Sequence, residues 1–434
     1  MSSDHYDGPG TDRVVGARKV VIVGQGYVGL PVAARAVEAG FSVVGLDTDQ
    51  GRVERLAKGV SFVEDVDDAV LSRMLASGRY LPTSDPDSAE GFDVAVISVP
   101  TPLREGSPDL SYVTSAAATI GQHLGTGSTV VLESTTYPGT TEEVVLPILE
   151  AASGLRAGPD FHLGYSPERI DPGNRTWTLV NTPKVVSGID AASLAAVKAF
   201  FDCLVDRTVP VRGTREAELT KLLENTFRHV NVALVNELAM FAADLGIDIW
   251  EAIDAASTKP FGYLRFTPGP GVGGHCLPVD PSYLSWRVKQ RLGYSFRFVE
   301  LANDINDHMP DYVATRLMAT FNRERRCLNG SRVLLLGMAY KRNTGDARES
   351  PSLVVAQRLR QLGADVVVSD PHVVVDEVRD ELCWVDPTEE EVKAADAVVL
   401  LVDHDAFDMR SIVSEARYLL DTRHVVSGEH VEHL

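Results

Sequence analysis

The sequence predicts an α/β protein made of two doubly wound parallel-sheet domains joined by a long central helix. Three observations carry that expectation. Short β-branched runs alternate with helical segments in two separate stretches, one starting at Lys19 and one at Arg332. Between them, Thr214 to Leu245 keeps apolar residues at three- and four-residue intervals with few breakers. A length of 434 residues also exceeds what one core usually organises. The expected division is a flexible polar tail (1–17), a first sheet domain (18–213), a central helical region (214–315) and a second sheet domain (316–434).

Composition narrows the class. With 44% apolar and 24% charged residues the chain is an ordinary globular one, which excludes wholesale disorder. Its 41 basic against 61 acidic side chains leave a formal charge of −20, poorly suited to duplex nucleic acid. Small anions stay open, because helix N-termini and local basic groups can hold them. The four cysteines share no metal-ligand spacing, so no metal is expected and the thiols read as reduced. No apolar run approaches the roughly 20 residues that span a bilayer, and the first residues carry no hydrophobic signal core. A cytoplasmic protein with no membrane partner is the expectation.

Taken in order, Lys19–Val23 (KVVIV) reads as a strand buried on both faces. It runs into Gly24-Gln25-Gly26-Tyr27-Val28-Gly29, then a helical segment ending at Gly40, then a second strand, Phe41–Leu46, that stops at Asp47. This is the Rossmann-like dinucleotide fingerprint in its strand–turn–helix–strand context. Gly24 permits the tight turn, Gly26 lets backbone approach a pyrophosphate, and Gly29 allows close helix–strand packing. The pyrophosphate would sit at the helix N-terminus near Tyr27 and Val28. Asp47, 18 residues beyond Gly29, can accept both ribose hydroxyls and would repel a 2′-phosphate, which favours NAD over NADP. Arg52 is placed to stack on adenine or to lie solvated on its helix. Strands at Val94–Val99 and Thr129–Leu132 end near Thr101, Ser134 and Thr135, where cofactor or a bound water would be met.

In the long helix, Leu219, Leu222, Leu223, Phe227, Val230, Leu234, Leu238 and Phe241 are expected to line one broad face. Lys221 and Asn225, four apart, point the same way, an arrangement that by itself is usually a solvated surface pair. Gly269 to Gly274 then holds four glycines in six residues, backbone shaped for close approach to something, with Gly273 just ahead of His275 and Cys276. An accessible thiolate is the best neutral-pH nucleophile among side chains, so Cys276 is the candidate; His275 beside it is a weaker candidate base. Asp280 follows four residues later.

The last third repeats the alternation: Arg332–Gly337, a helix from Pro351 capped by Ser350 and closed by Gly363, then strands at Ala364–Ser369, Ala397–Val402 and Tyr418–Leu420. It lacks the tight glycine fingerprint. A basic loop with Lys341, Arg342 and Arg348 reads as an anion clamp. An NAD site, a cradled cysteine and a second nucleotide-type domain together imply oxidation of an alcohol to an aldehyde, capture as a thiohemiacetal, oxidation to a thioester and release of an acid by water.

At these residues the chain resembles the UDP-glucose/GDP-mannose dehydrogenase family, the nucleotide-sugar 6-dehydrogenases. GQGYVGLP, VPTP, SPE, KLLENTF, GGHCLPVDP and KRNTGDARESP occur in family order from Lys19 onward. The resemblance implies Cys276 as nucleophile, Lys221 as oxyanion stabiliser and Asn225 on a substrate hydroxyl or the reacting oxygen. Asp280 would position or activate water, Thr135 would hold it, and Glu168 would stand near the hydrolytic step. Lys341 would contact substrate phosphate or ribose, Arg265 the diphosphate, and Arg348 the cofactor side. A homodimer through the central helix is implied as well. The main expectation is a UDP- or dTDP-glucose 6-dehydrogenase using two NAD. The alternative is a UDP-N-acetylhexosamine 6-dehydrogenase, which GGHCLPVDP and the Arg169-Ile-Asp-Pro-Gly-Asn continuation of SPE resemble more. A single-hydride β-hydroxyacid-type dehydrogenase is the more distant alternative.

Overall fold

The computed structural model describes residues 18–434 apart from 64, 105, 171–173, 175, 275, 276, 278 and 375–381. The chain forms two compact units, one running up to Thr101 and from Asp109 to Lys221, the other comprising Pro102–Pro108 and Leu222–Leu434.

The first unit begins β1 (Lys19–Val23), α1 (Gly29–Glu38), β2 (Ser42–Leu46), α2 (Gln50–Ala57), α3 (Asp68–Ala76), β3 (Tyr80–Thr83) and β4 (Val94–Ile97). A short antiparallel hairpin, β5 (Leu103–Arg104) and β6 (Ser107–Pro108), groups with the second unit. The first unit resumes with α4 (Ser111–Gln122), β7 (Thr129–Leu132), α5 (Leu146–Ser153), β8 (His162–Tyr165), β9 (Lys184–Val186), α6 (Ala191–Phe201) and β10 (Thr208–Pro210). Its sheet has the order β3-β2-β1-β4-β7-β8, every neighbour parallel, with β9 and β10 as a separate parallel pair. A strand covered on both faces needs apolar residues at every position. Val20 and Ile22 accordingly enter one core and Val21 and Val23 the other.

Helix α7 (Thr214–Asp244) is continuous for 31 residues, and the division between units falls within it. The second unit continues with α8 (Ile249–Ser257), α9 (Asp280–Leu292), α10 (Arg297–Arg323), β11 (Arg332–Leu336), α11 (Pro351–Gln361), β12 (Asp365–Ser369) and β13 (Cys383–Trp384). Then come α12 (Glu389–Ala394), β14 (Ala397–Leu400), α13 (Met409–Glu415), β15 (Leu419–Asp421) and β16 (Val431–His433). Its sheet, β13-β12-β11-β14-β15-β16, is again wholly parallel. Val333 and Leu335 face one core, Leu334 and Leu336 the other. The protein is therefore α/β, with two Rossmann-like doubly wound parallel sheets joined by a long helix.

The broad Leu/Phe face expected on α7 is not one buried face. Leu222 is fully buried, but Leu223, Phe227, Leu234 and Phe241 are exposed. Smaller residues make the packing surface: Val235, Ala239 and Ala242 meet Ile249, Trp250 and Ile253, and Ala233 meets Ala302 and Ile305. Short side chains let helix axes approach closely, so the face with the largest apolar residues is left outside. Among the described residues no helix is long and apolar enough to cross a membrane.

Candidate active site

The glycine turn of the first unit has the geometry its spacing demands. Gly24 has φ +91°, and a Cβ there would stand 2.5 Å from the Ser98 carbonyl oxygen. A Cβ on Gly29 would come within 1.8 Å of the Gly24 oxygen, so α1 packs against the turn only because that atom is missing. Gly26 differs: nothing lies within 4 Å of its Cβ direction, and backbone there faces open space. That opening fits a pyrophosphate at the N-terminus of α1, with Val28 at its cap position and Tyr27 exposed beside it.

Asp47, buried at the end of β2, closes the turn by accepting from Gln25 N at 2.8 Å. It also accepts from Asp49 N at 2.9 Å and pairs with Arg52 at 2.9 Å. Arg52 thus leans on Asp47 and lies 5.3 Å over the Phe62 ring, so its expected partner, an adenine, would have to share it. Tyr80 donates to Gln25 Oε1 at 2.7 Å; burial, then Asp47, raise its phenol above the usual range. Ser134 donates to the Val99 carbonyl at 2.8 Å, tying the ends of β4 and β7 together. Thr101 is buried and Thr135 half-buried beside these strand ends.

Two acidic residues that the sequence did not single out shape this end of the sheet. Glu218 on α7 accepts from Gly139 N at 2.5 Å, Thr141 N at 2.8 Å and the Thr141 hydroxyl at 2.7 Å, holding the loop after Thr135. Burial pushes its carboxyl up to about 7 against those donors. Glu133 is buried with Lys184 and Glu168: Lys184 Nζ donates to Glu133 Oε1 and to Glu168 Oε2, the latter at 3.1 Å. Burial pushes the Glu133 carboxyl up to about 7, with Lys184 opposing and Glu168 assisting. Glu168 is held below its usual range despite burial, by Lys184, Lys221 and the Ile170 N–H. Lys184 is held above its usual range despite burial by the two carboxylates. Lys221, buried rather than a solvated surface residue, donates to the Glu168 carbonyl oxygen at 2.5 Å.

In the second unit Asn225 Nδ2 donates to Asp280 Oδ2 at 2.6 Å. Asp280 is buried in the first turn of α9, where the helix dipole favours a carboxylate. Cys276 and His275 lie outside the described residues. The glycine segment before them owes its composition to packing within the unit. A Cβ on Gly273 would meet the Glu349 carbonyl oxygen at 2.7 Å, and one on Gly274, with φ +82°, would meet the Tyr340 ring at 2.8 Å. The close approach expected of this backbone is made, on the side a Cβ would occupy, toward Tyr340, Glu349 and Pro351. Asn236 Oδ1 on α7 accepts from Gly269 N at 3.0 Å and anchors the start of this segment.

The basic side chains of the expected anion clamp have carboxylate neighbours in the fold. Arg342 is paired with Asp403 at 3.0 Å and with Asp405, and Arg348 is paired with Asp346 through two nitrogens at 2.9 and 2.6 Å. Arg265 is likewise paired with Asp254 at 3.2 and 2.7 Å. Among the described residues no group of acidic, His and Cys side chains could hold a metal ion.

Sequence and structure comparisons agree with this architecture. The NAD-binding, central and UDP-binding domains of the UDP-glucose/GDP-mannose dehydrogenase family match residues 18–205, 215–308 and 334–428. The UDP-N-acetyl-D-glucosamine 6-dehydrogenase of Salmonella typhi is 36% identical over 95% of this chain and 97% of its own length. The solved UDP-D-ManNAc dehydrogenase of Pyrococcus horikoshii, 33% identical, covers 96% of this chain and 98% of its own with a TM-score of 0.87. A UDP-glucose dehydrogenase from Pyrobaculum islandicum, 27% identical, also gives 0.87, covering 98% of each chain. The chain belongs to the UDP-glucose/GDP-mannose dehydrogenase family and is an NAD-dependent oxidoreductase acting on the CH–OH of a nucleotide sugar.

Proposed function

We propose that the protein oxidises the C6 alcohol of a UDP-N-acetylhexosamine to the uronic acid, using two NAD and one water. The observation that carries this reading is the 36% identity, over nearly all of both chains, to a UDP-N-acetyl-D-glucosamine 6-dehydrogenase. The Pyrococcus enzyme named for N-acetylmannosamine supports the same sugar class at 33%. The glucose expectation yields to it, since the glucose-named structure is less similar in sequence at an equal TM-score.

The overall balance is one primary alcohol, two NAD and one water giving one carboxylate, two NADH and three protons. NAD supplies the hydride acceptor for both oxidations. Lys221 stabilises the negative charge that develops on the reacting oxygen. The Cys276 thiolate adds to the aldehyde carbon, forming a C–S bond that the second oxidation turns into a thioester. Water then replaces sulfur at that carbon, with Thr135 and Asp280 holding and orienting it and Asn225 on the substrate oxygen. Glu168 keeps its place beside Lys221, and Lys341 takes phosphate or ribose. The exposed Leu/Phe stripe of α7 supports a homodimer.

The test is NADH formed per nucleotide sugar consumed, on UDP-N-acetylglucosamine, UDP-N-acetylmannosamine and UDP-glucose, with Cys276→Ala alongside. Two NADH on an N-acetylated donor, with the variant slowed by about 10³-fold or more, is the expected result. One NADH per sugar, or an unaffected variant, would move the protein to the single-hydride class; turnover of UDP-glucose alone would restore the glucose reading.

A further inference from the structure

Three titratable side chains meet in the interior of the first unit: Glu133 is 1% exposed, Lys184 2% and Glu168 7%. They come from the end of β7, the start of β9 and the loop after β8. Lys184 bridges the two carboxylates, and its ammonium lies 5.1 Å over the Phe201 ring. Glu168 Oε1 accepts from its own Arg169 N at 2.6 Å and from Ile170 N at 2.5 Å. The Glu168 carbonyl oxygen holds Lys221. Arg169 itself turns away, donating to the Pro183 carbonyl at 2.6 Å. Glu133 Oε2 has no partner among the described residues.

Two buried carboxyls beside Lys184 do not carry charge at equal cost. Glu168, with Lys184, Lys221 and two N–H donors around it, is the one favoured as an anion, and burial raises Glu133, one oxygen of which has no partner among the described residues. Bound on both oxygens, the Glu168 carboxylate fixes the main-chain carbonyl that accepts from Lys221.

We propose that Lys184 is a positioning residue: it locks Glu168 as a fixed anion, and through the Glu168 carbonyl it sets the ammonium of Lys221 for the oxidation. The proposal rests on the reaction given above.

Full-length Lys184→Met and Lys184→Arg test it. The measurements are kcat, KM for the nucleotide sugar and for NAD, rate against pH, and the melting temperature. Lys184→Met is expected to lower kcat by about 30-fold or more while the KM for NAD holds, and to bring in an acid limb as Glu168 gains a proton. Lys184→Arg, which keeps the charge, is expected to restore most of the rate. Because Met leaves the two carboxyls facing one another without the ammonium between them, Glu133→Gln/Lys184→Met is made as well; it takes away the second carboxyl together with the ammonium and is expected to fold with kcat still reduced. Wild-type kcat with no acid limb in folded Lys184→Met, or wild-type kcat in the folded double variant, would overturn the proposal. Wild-type protein inactive on every nucleotide sugar would instead overturn the reaction itself, and the proposal with it.

Discussion

Gly26 and Gly29 stand three residues apart in one turn and lack side chains for opposite reasons. Gly29 has no room, with Gly24 backbone 1.8 Å and Ser98 Oγ 2.6 Å from where a Cβ would sit. Gly26 has room, and that room is what a pyrophosphate needs. Gly29→Ala is therefore expected to cost about 2 kcal/mol or more of stability and to weaken NAD binding with it. Gly26→Ala should leave stability within about 0.5 kcal/mol yet weaken NAD about tenfold or more. Thermal melting beside an NADH fluorescence titration separates the two; equal loss of stability in both would refute the assignment. Both glycines are legible in the sequence because a turn is local. The meeting of Glu133 and Lys184 with Glu168 is not, because 51 residues separate the first two and only strand order brings them into contact.

At the scale of elements, α7 is the most informative segment. Its existence and length are read from periodicity, Thr214–Leu245 expected against Thr214–Asp244 found. Its orientation is not, since the choice of buried face depends on what packs against it. The same helix carries Glu218 into the loop Gly139–Thr141. A carboxyl raised to about 7 in the folded protein releases its proton near 4.5 when unfolded. The folded state therefore binds more protons between those values, and this group's contribution to stability falls as pH rises from about 4.5 through 7. Melting temperature measured from pH 5 to 8 should decline more steeply in wild type than in Glu218→Gln, the difference being on the order of 3 kcal/mol at most. Parallel curves would show that the carboxyl titrates normally.

Across the whole molecule the two sheets repeat one plan. Gly337 has φ +90° and donates to the Ser369 carbonyl at 2.8 Å, as Gly24, at +91°, donates to Leu46 at 2.8 Å. Asp370 after β12 accepts from Met338 N at 2.7 Å and Ala339 N at 2.9 Å, the counterpart of Asp47 with Gln25 N. The second turn lacks the full glycine spacing but keeps its positive-φ glycine and its acidic clasp, with His404 held on Asp370 at 3.0 Å. Assembly is the remaining question at this scale. Leu223, 63% exposed, and Phe227, 47% exposed, lie on the uncovered stripe of α7, and an exposed apolar face of this kind marks an association surface. On the proposed homodimer, wild type is expected to run as a dimer in sedimentation, and Leu223→Arg/Phe227→Arg to run as a monomer while keeping the melting profile of the fold. A wild-type monomer, or a variant dimer, would remove the stripe from the interface.

By itself the sequence determined what local rules govern. These are the buried strands, the glycine turn with Asp47 at its required distance, the length of α7, the capped helix at Pro351 and the ordered motifs of the family. Each depends on neighbours a few residues away or on spacing along one element. Only the tertiary structure decided which charges are paired and which faces are covered. Arg265, Arg342 and Arg348 look like anion ligands as text and are ion-paired in the fold. The glycines before Cys276 look like a ligand cradle and accommodate Tyr340 and Glu349. Lys184, which nothing in the sequence singles out, holds two buried carboxylates. Pairing energies depend on burial and on distance through space, and neither is written in the order of residues along the chain.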